Sequence, residues 1–392
     1  MQATLIPEKP EQAGKKKSPF REWIDSVVFA VIAATLIRWL VFTAFVIPTP
    51  SMENSLLVGD YLFVSRLSYG TTTPVTPLQV PLTHQTIWGT SIPSYLDWIQ
   101  LPQFRLPGFG DVERGDVVVF YLPVEHPGMY NKYSTVLPDL HPHPLDQRSN
   151  YIKRCVAIGG DKLEVRNGQV YVNGKAQVNP VRMQQEYFVS TTTPVNEQNV
   201  FRKNGITDYA QITEPMTDSL TAQPVFGYMI KTTAALADKL KALDFVRRVE
   251  PMQAPKGQKE PYLFPANDLL YWNRDNYGPI TVPKKGLTIT LNAENVALYG
   301  DAIQYFDGNE NIVINAGKIT ENGKLLSNYT FKQDYYFMMG DNRHNSADSR
   351  YWGFVPKDHV VGKAMLVWMS LDPDPVSFMD KIRWNRVFRI IQ

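Results

Sequence analysis

Residues 47–60 read IPTPSMENSLLVGD and follow directly on a long apolar segment. Pro48 and Pro50 fix their own φ angles and push the residue before each of them toward an extended conformation. The chain is therefore predicted to leave the apolar segment as a stiff strand with two hydroxyl side chains, Thr49 and Ser51, on one edge. Taken alone, the stretch is explained equally well as a proline-punctuated linker.

The apolar segment, residues 24–47, is long enough to cross a hydrocarbon core of about 30 Å as a helix. Arg38 lies inside it and is placed to extend toward the far interface. The basic cluster Lys15–Lys17 precedes the segment, and basic residues stay on the cytoplasmic side of a membrane. A buried helix of a globular domain and a cleaved signal peptide are the two alternatives. We expect an uncleaved membrane anchor, with residues 1–23 as a cytoplasmic basic tail and everything after residue 47 outside the cytoplasm.

Composition limits the possible functions of the 392-residue chain. A hydrophobic content of 44% and a charged content of 20% indicate a folded protein with room for about two domains. A net charge of +2, without a basic stripe, argues against nucleic acid as a partner. One cysteine, Cys155, excludes intramolecular disulfides. His141 and His143 lack a carboxylate or cysteine at ligand spacing, so we expect neither a metal nor another cofactor.

A second informative stretch is 151–161, YIKRCVAIGGD, which reads as a buried strand. Because side chains alternate faces along a strand, Lys153 shares its face with Tyr151, Cys155 and Ala157 and not with Arg154. An amine among such neighbours is a candidate base, although most lysines are simply solvated. A continuous apolar run at 117–121 predicts another buried strand.

Several further segments give structural expectations only. Residues 92–104 carry an apolar patch that could touch the membrane surface or fill a small satellite core, and we expect the satellite core. Residues 174–327 read as a large insertion, with a helix predicted over 232–249 from its leucine spacing. The strand 335–339 leads into a loop crowded with Asp, Asn, Ser and Arg, which suits the positioning of other groups. Residues 378–392 are predicted to form a basic amphipathic C-terminal tail.

Four blocks in this order resemble the bacterial type I signal peptidases, membrane-anchored serine–lysine endopeptidases that remove signal peptides from exported proteins. The blocks are 48–60, 114–120, 151–161 and 340–364. The resemblance implies a mainly β fold: a catalytic core of residues 48–173 and 328–377 on the outer face of the cytoplasmic membrane, one transmembrane anchor at 24–47, and an inserted variable domain at 174–327. It also implies signal peptides of exported preproteins and membrane lipid as partners.

The resemblance assigns roles residue by residue. Ser51 matches the nucleophile and Lys153 the general base, Thr49 matches a side-chain donor of the oxyanion hole, and Ser346 matches the hydroxyl that orients the lysine. The remaining matches are structural ion pairs and apolar pockets for small residues beside the cleavage point: Asp341 with Arg154, Asp348 with Arg350, and Phe45, Ile47, Leu56, Val119 and Ile152.

The chain departs from the family pattern at a few positions. Pro50 replaces the usual glycine before the serine, Asn54-Ser55 replaces a common Pro-Thr, and His344 stands where some members have an aspartate. Pro50 is expected to stiffen the loop that forms the oxyanion hole.

The proposed chemistry also follows from the residue types. A serine hydroxyl needs a base that is neutral at the working pH, and burial lowers a lysine pKa from about 10.4 toward that range. Two rivals remain open: a Ser–His–Asp hydrolase built from Ser51, His344 and an aspartate, and a non-enzymatic single-pass adaptor.

Overall fold

The computed structural model describes residues 18–133, 137, 140–217, 222–375 and 378–392. The predicted cytoplasmic cluster Lys15–Lys17 lies outside these residues. Helix α1 spans Pro19–Leu40; the Ser18 hydroxyl caps its first turn, Pro19 occupies a position where no N–H is needed, and Arg38 lies in the last turn. It is long and apolar enough to cross a membrane, and none of it is buried in the protein. This finding argues against a buried globular helix.

The candidate membrane-spanning helix ends before the C-terminal limit of the predicted 24–47 span. The helix ends at Leu40, and residues 42–46 form a strand instead. Polar groups of the following chain satisfy the end of the helix: the Thr43 hydroxyl donates to the Arg38 carbonyl at 3.0 Å, and the Thr71 hydroxyl donates to the Leu40 carbonyl at 2.8 Å. The indole N–H of Trp39 also donates to the Thr72 carbonyl. The helix is thus joined directly to the folded domain.

The protein is mainly β, as predicted. The other helices are α2 (Tyr130–Tyr133), α3 (Glu197–Val200), α4 (Ala234–Lys241), α5 (Ala293–Asp301), which continues as a π-helical turn over Ala302–Phe306, and α6 (Ser349–Trp352). The strands are β1 (Phe42–Val46), β2 (Asp60–Ser65), β3 (Leu78–Gln79), β4 (Tyr95–Leu96), β5 (Val117–Tyr121), β6 (Asn150–Ile158), β7 (Lys162–Arg166), β8 (Gln169–Val172), β9 (Lys175–Ala176), β10 (Gln184–Thr191), β11 (Tyr209–Thr217), β12 (Pro224–Thr233), β13 (Val246–Pro251), β14 (Tyr277–Thr281), β15 (Thr288–Thr290), β16 (Ile312–Asn315), β17 (Lys318–Glu321), β18 (Lys324–Leu325), β19 (Asn328–Thr330), β20 (Tyr335–Met339), β21 (Val355–Pro356), β22 (Val360–Ser370) and β23 (Arg389–Ile390).

The main sheet has the strand order β1-β2-β22-β5-β6-β20-β21, with β23 paired to β22. Its central strand β5 is buried on both faces, which explains why residues 117–121 read as a continuous apolar run. Val117, Val119 and Tyr121 join a hydrophobic cluster on one face, while Val118 and Phe120 join the larger core on the other. The sheet therefore separates two apolar layers.

Only part of the predicted insertion forms a separate unit. A four-stranded sheet of order β11-β12-β10-β13, with α4 packed against it, carries its own hydrophobic cluster. Residues from α5, β16 and β17 instead belong to the large core shared with β20. The helix predicted over 232–249 is shorter than expected: α4 spans Ala234–Lys241. Leu243 is exposed beyond it, and the chain enters β13 at Val246.

The apolar patch predicted as a satellite core is exposed. Trp98 is 81% exposed and Phe104 is 63% exposed, and Ile92, Ile99 and Leu101 also face solvent. The segment is held instead by backbone pairing, in which β3 and β4 form a two-stranded ribbon. The satellite-core prediction was wrong, because apolar composition alone does not show what a loop packs against.

The C-terminal segment is part of the fold. Residues 384–386 form a single 3₁₀ turn, and β23 pairs with β22 at Leu366 and Val367. The Arg386 guanidinium is buried against the Asp60 carboxylate, which also accepts a hydrogen bond from the Ser370 hydroxyl at 2.7 Å. This segment therefore stabilises the beginning of β2, at the residue where the 47–60 stretch ends.

Candidate active site

Ser51 lies in a short 3₁₀ turn, Pro50–Met52, that follows β1. Thr49 precedes the turn in an extended conformation, with φ −130° and ψ 152°, and its side chain is exposed. The loop that follows β20, residues 340–348, holds this turn in place. The backbone N–H of Asn342 donates to the Ser51 carbonyl at 3.1 Å, and the side-chain amide of Asn342 donates to the Pro50 carbonyl at 3.2 Å. Two stretches far apart in sequence are thereby brought together.

Lys153 lies on β6, between β5 and β20, where it pairs with Val118 in the β5 register. Its side chain is almost wholly buried, with 2% of the residue exposed. The ammonium nitrogen Nζ is 2.7 Å from Ser51 Oγ and 3.0 Å from the Ile152 carbonyl oxygen. The Tyr151 ring lies 5.1 Å from Nζ. The structure thus brings together the hydroxyl and the amine that the sequence singled out.

The environment of Lys153 favours its neutral form. Burial lowers the pKa of this amine from 10.5 to about 8, while the charges of Asp348 and Asp341 oppose the shift. A lysine with a pKa near 8 has about a tenth of its amines neutral at pH 7, compared with fewer than one in a thousand for a solvated lysine. The side chain can therefore accept a proton from Ser51 under ordinary conditions.

Gly340 lies between Ser51 and Ser346. A Cβ atom at this position would collide with the Ser346 hydroxyl and with the Ser51 carbonyl oxygen, so only glycine allows the approach. Ser346 is buried here beside Asp348, and its hydroxyl makes no hydrogen bond to Lys153 in the described structure. The orientation of Lys153 by Ser346 stays a prediction.

Two ion pairs lie behind the site, between the residues that the sequence paired. Arg154 contacts Asp341 through two hydrogen bonds of 2.9 and 2.7 Å, and Asp341 also accepts the Ser55 hydroxyl at 2.6 Å. Arg350 contacts Asp348 in the same way, at 2.9 and 2.8 Å. Such paired, planar contacts fix the geometry of the loops that carry them.

The predicted pocket residues fall in one apolar layer. Ile47, Leu56 and Val119 are buried in the hydrophobic cluster on one face of the main sheet, and Phe45 and Ile152 pack against its edge. The cluster includes Met52, the residue after Ser51. An apolar surface of this kind lies next to the Ser51 turn.

Sequence reasoning did not identify two supporting residues. Arg386 lies in the segment predicted as a basic amphipathic tail. Its ion pair with Asp60 could have been suspected only from the isolated aspartate at position 60. Asn342 was read only as a loop residue, although its side chain and N–H both hold the Ser51 turn.

His344 has both ring nitrogens engaged away from Ser51. Its Nε2 is 2.7 Å from the Asp275 carboxylate, and its Nδ1 accepts the Glu186 N–H at 2.8 Å. Neither nitrogen is free to take a proton from Ser51. This arrangement argues against a Ser–His–Asp triad at this site.

Within the described ranges, no group of three or more His, Cys, Asp or Glu side chains is placed to hold a metal ion. Of the two histidines of the His-Pro-His run, His143 contacts the Tyr95 hydroxyl at 2.9 Å through Nδ1.

A serine hydroxyl in contact with a buried, partly neutral lysine is the arrangement of a hydrolase that forms a covalent acyl intermediate. The comparison with protein families gives the particular class. A family model described as "Signal peptidase, peptidase S26" matches residues 20–214 and 249–369, which is well over half of the chain. The chain belongs to this family of signal-peptide-cleaving peptidases. The gap between the two matched ranges lies in the separate four-stranded unit.

Individual relatives agree with this assignment. The chain is 25% identical over 382 residues to signal peptidase I of Buchnera aphidicola subsp. Acyrthosiphon pisum, covering 97% of the chain and 84% of the relative. It is 24% identical to signal peptidase I of Helicobacter pylori, covering 94% and 91%. The match to signal peptidase I of Haemophilus influenzae is 23% identical and covers 97% and 80%.

Proposed function

We propose that this chain is a membrane-bound serine endopeptidase that cleaves N-terminal signal peptides from exported preproteins after small residues, with Ser51 as nucleophile and Lys153 as general base. The observation that supports this proposal most strongly is the 2.7 Å contact between Ser51 Oγ and a buried Nζ whose pKa is lowered to about 8. The proton of Ser51 can pass to Lys153 through that contact.

In the first half of the reaction, neutral Lys153 takes the Ser51 proton as Oγ attacks the scissile carbonyl carbon. The tetrahedral intermediate then collapses, the peptide C–N bond breaks, and the Lys153 ammonium gives its proton to the leaving amine. The signal peptide remains attached to Ser51 as an ester. In the second half, Lys153 accepts a proton from water as the water oxygen attacks the ester carbonyl carbon. The bond from that carbon to Ser51 Oγ then breaks, and the Lys153 ammonium returns its proton to Oγ, which regenerates the serine and releases the signal peptide.

The oxyanion would be held by the Ser51 N–H and the Thr49 hydroxyl. Thr49 is the N-cap of the 3₁₀ turn, so Ser51 occupies one of its first positions, where an N–H has no acceptor within the turn. Pro50 has no N–H of its own and fixes the backbone between the two donors. The Thr49 side chain makes no capping bond and is therefore free to donate.

Specificity for small residues would come from the apolar layer beside the turn. Leu56 and Val119 are fully buried in this layer, whereas Phe45 and Ile152 are partly exposed at its edge. A close-packed apolar surface accepts methyl-sized side chains and excludes larger or charged ones. Ser346, next to Gly340, is proposed to hold the amine toward Ser51.

The direct test of this function is cleavage of a preprotein by wild type and by Ser51→Ala in detergent. We expect the wild type to release the mature protein and the alanine variant to release none above background, because among the described residues Ser51 is the only nucleophile hydrogen-bonded to Lys153. A non-enzymatic adaptor would show no cleavage by either protein. Cleavage by Ser51→Ala would remove Ser51 from the mechanism.

Thr49→Val retains the shape of the side chain but removes the donor. We expect turnover to fall by about 10²–10³-fold, the usual cost of losing one oxyanion donor. Thr49→Ser, which keeps a hydroxyl, is the matched control and should stay active. Equal turnover in Thr49→Val and wild type would exclude Thr49 from the oxyanion hole.

We further propose that the catalytic domain lies on the outer face of the bacterial cytoplasmic membrane, with residues 1–23 inside. Protease added to right-side-out spheroplasts should digest the domain after Ser51. Protection of that domain until the spheroplasts are lysed would show the opposite orientation.

A further inference from the structure

A cavity of about 370 Å³ lies where the membrane helix meets the folded domain. Its walls come from the last turn of α1, from strand β1 and from the loop at residues 72–84. Ser51 and Lys153 do not line this cavity, and Phe45 is the one residue that it shares with the proposed substrate pocket. Its position at the outer end of the helix places it at the level of the lipid headgroups.

Two arginines line the cavity, and the described residues place no carboxylate within ion-pair distance of either. Arg38 makes one long contact, 3.5 Å from Nη2 to the Thr83 carbonyl. Arg66 donates from Nε to the Thr43 hydroxyl at 2.9 Å. Both side chains are half-buried. Two guanidinium groups in one partly desolvated cavity repel each other unless an anion lies between them.

The acid in the cavity wall does not supply that anion. Asp146 has its oxygens occupied by the N–H groups of Val75 and Thr76 and by the Thr76 hydroxyl, each at 2.8 Å. The carboxylate therefore serves to hold the loop. The cavity retains the two guanidinium groups as its unmatched charges.

A third polar group in the cavity wall, the His84 ring, has a nitrogen without a hydrogen-bond partner among the described residues. The Nε2 atom of His84 is buried and makes no hydrogen bond to any described residue. Burial and the nearby Arg38 charge lower the pKa of His84 to about 4, so the ring is neutral at pH 7. A neutral imidazole that carries its proton on Nε2 can donate a hydrogen bond to an anionic oxygen.

The chain that follows this loop carries exposed aromatic residues. Trp88 and Trp98 are 68% and 81% exposed, and Phe104 and Phe109 are exposed beyond them. Tryptophan is enriched at membrane–water interfaces, where one end of the ring is apolar and the other is polar. The Phe104 N–H donates to the hydroxyl of Thr73, a cavity-lining residue, at 2.8 Å, so this part of the exposed aromatic surface adjoins the cavity wall.

We propose that this cavity binds the phosphate of an anionic phospholipid headgroup, held by Arg38 and Arg66 with His84 as a third donor. Arginine forks match phosphate oxygens in geometry and charge. A bound headgroup would fix the catalytic domain at one height above the bilayer, at the depth where the scissile bond of a membrane-inserted preprotein emerges. The inference rests on the proposed membrane placement of α1 but not on the chemistry at Ser51.

The test is a calorimetric titration of the delipidated full chain in uncharged detergent, with dihexanoyl-phosphatidylglycerol, dihexanoyl-phosphatidylcholine and inorganic phosphate as separate ligands. We expect one phosphatidylglycerol to bind per chain and phosphatidylcholine to bind far more weakly. Replacing Arg38 or Arg66 by Gln should weaken phosphatidylglycerol binding about tenfold each, as for loss of one charge-assisted contact. Arg38→Lys and Arg66→Lys should retain part of the affinity for phosphatidylglycerol.

Arg247→Gln is the matched control, because Arg247 is exposed in the separate four-stranded unit. Preprotein cleavage by each variant shows that it is folded, and Arg38→Gln alone keeps the test valid if the Arg66 variant does not fold. Inorganic phosphate binding that depends on the same arginines, without a preference for phosphatidylglycerol, would support a phosphate site but overturn the lipid source. Equal affinity of wild type and Arg38→Gln for phosphatidylglycerol would overturn the proposal.

Discussion

Lys153→Arg is expected to abolish preprotein cleavage while leaving the protein folded and inserted. Arginine keeps the positive charge and most of the length of the side chain, but it cannot be deprotonated at usable pH. Ser51 would then have no base, and loss of a catalytic base of this kind costs about 10⁴-fold or more. The measurement is the rate of preprotein cleavage by wild type and variant at matched membrane insertion.

Lys153→Met is the companion variant, because it removes the charge as well as the base. It should be equally inactive but differ in stability. The folded state holds the Lys153 pKa at about 8, below the unfolded value of 10.5, so the unfolded chain binds more protons between these two pH values. The contribution of this lysine to wild-type stability therefore rises with pH from about 8 to 10.5, and below that range the full free-energy cost of burying the amine applies.

Lys153→Met lacks this dependence. The free energy of unfolding of Lys153→Met should exceed that of wild type by the largest amount at pH 7. This difference should shrink as the pH rises toward 10.5. Chemical denaturation at the two pH values measures the change. A difference that is the same at both pH values would mean that burial does not lower the pKa of this lysine.

Asp348→Ala is expected to destabilise the protein by about 3–5 kcal/mol, the usual cost of breaking a buried ion pair. Arg350 is fully buried, and its guanidinium donates two hydrogen bonds, of 2.9 and 2.8 Å, to the Asp348 carboxylate. Asp348 also accepts the Gly340 N–H at 3.0 Å, so its loss loosens the loop behind Ser51. Denaturant unfolding, followed by loss of tertiary signal, gives the free energy directly.

The double variant Asp348→Leu/Arg350→Met is the control, since it removes both charges and keeps apolar volume. It should be clearly more stable than Asp348→Ala, because no uncompensated charge stays buried. If the double variant and Asp348→Ala are equally destabilised, the cost comes from lost packing and not from the unpaired guanidinium.

The contact between Ser51 and Lys153 could be anticipated from sequence because each residue sits in a locally constrained segment. Two prolines restrict the backbone around Ser51, although Ser51 itself lies in a 3₁₀ turn and not in the predicted extended strand. The residues around Lys153 mark a buried strand. The distance between them was not accessible to such reasoning, since it depends on pairing between strands 100 residues apart. The resemblance to a known family supplied that link.

Other features depend on long-range packing that leaves little trace in the sequence. The last helical residue before β1 could not be located, because the apolar run continues from the membrane helix into a strand of the main sheet without a break in composition. The exposure of Trp98 and Phe104 likewise depends on what the loop packs against. The pairing of Arg386 with Asp60 joins the two ends of the catalytic domain, and a basic C-terminal segment gives no indication of it.

The most direct test of the Ser51–Lys153 mechanism is the pH dependence of kcat/KM for preprotein cleavage. The acid limb of this profile reports the pKa of the essential base in the free enzyme. We predict a limb near pH 8, unchanged in His344→Gln, because both His344 nitrogens are engaged elsewhere. A limb near 6.5 that disappears in His344→Gln would contradict the lysine mechanism.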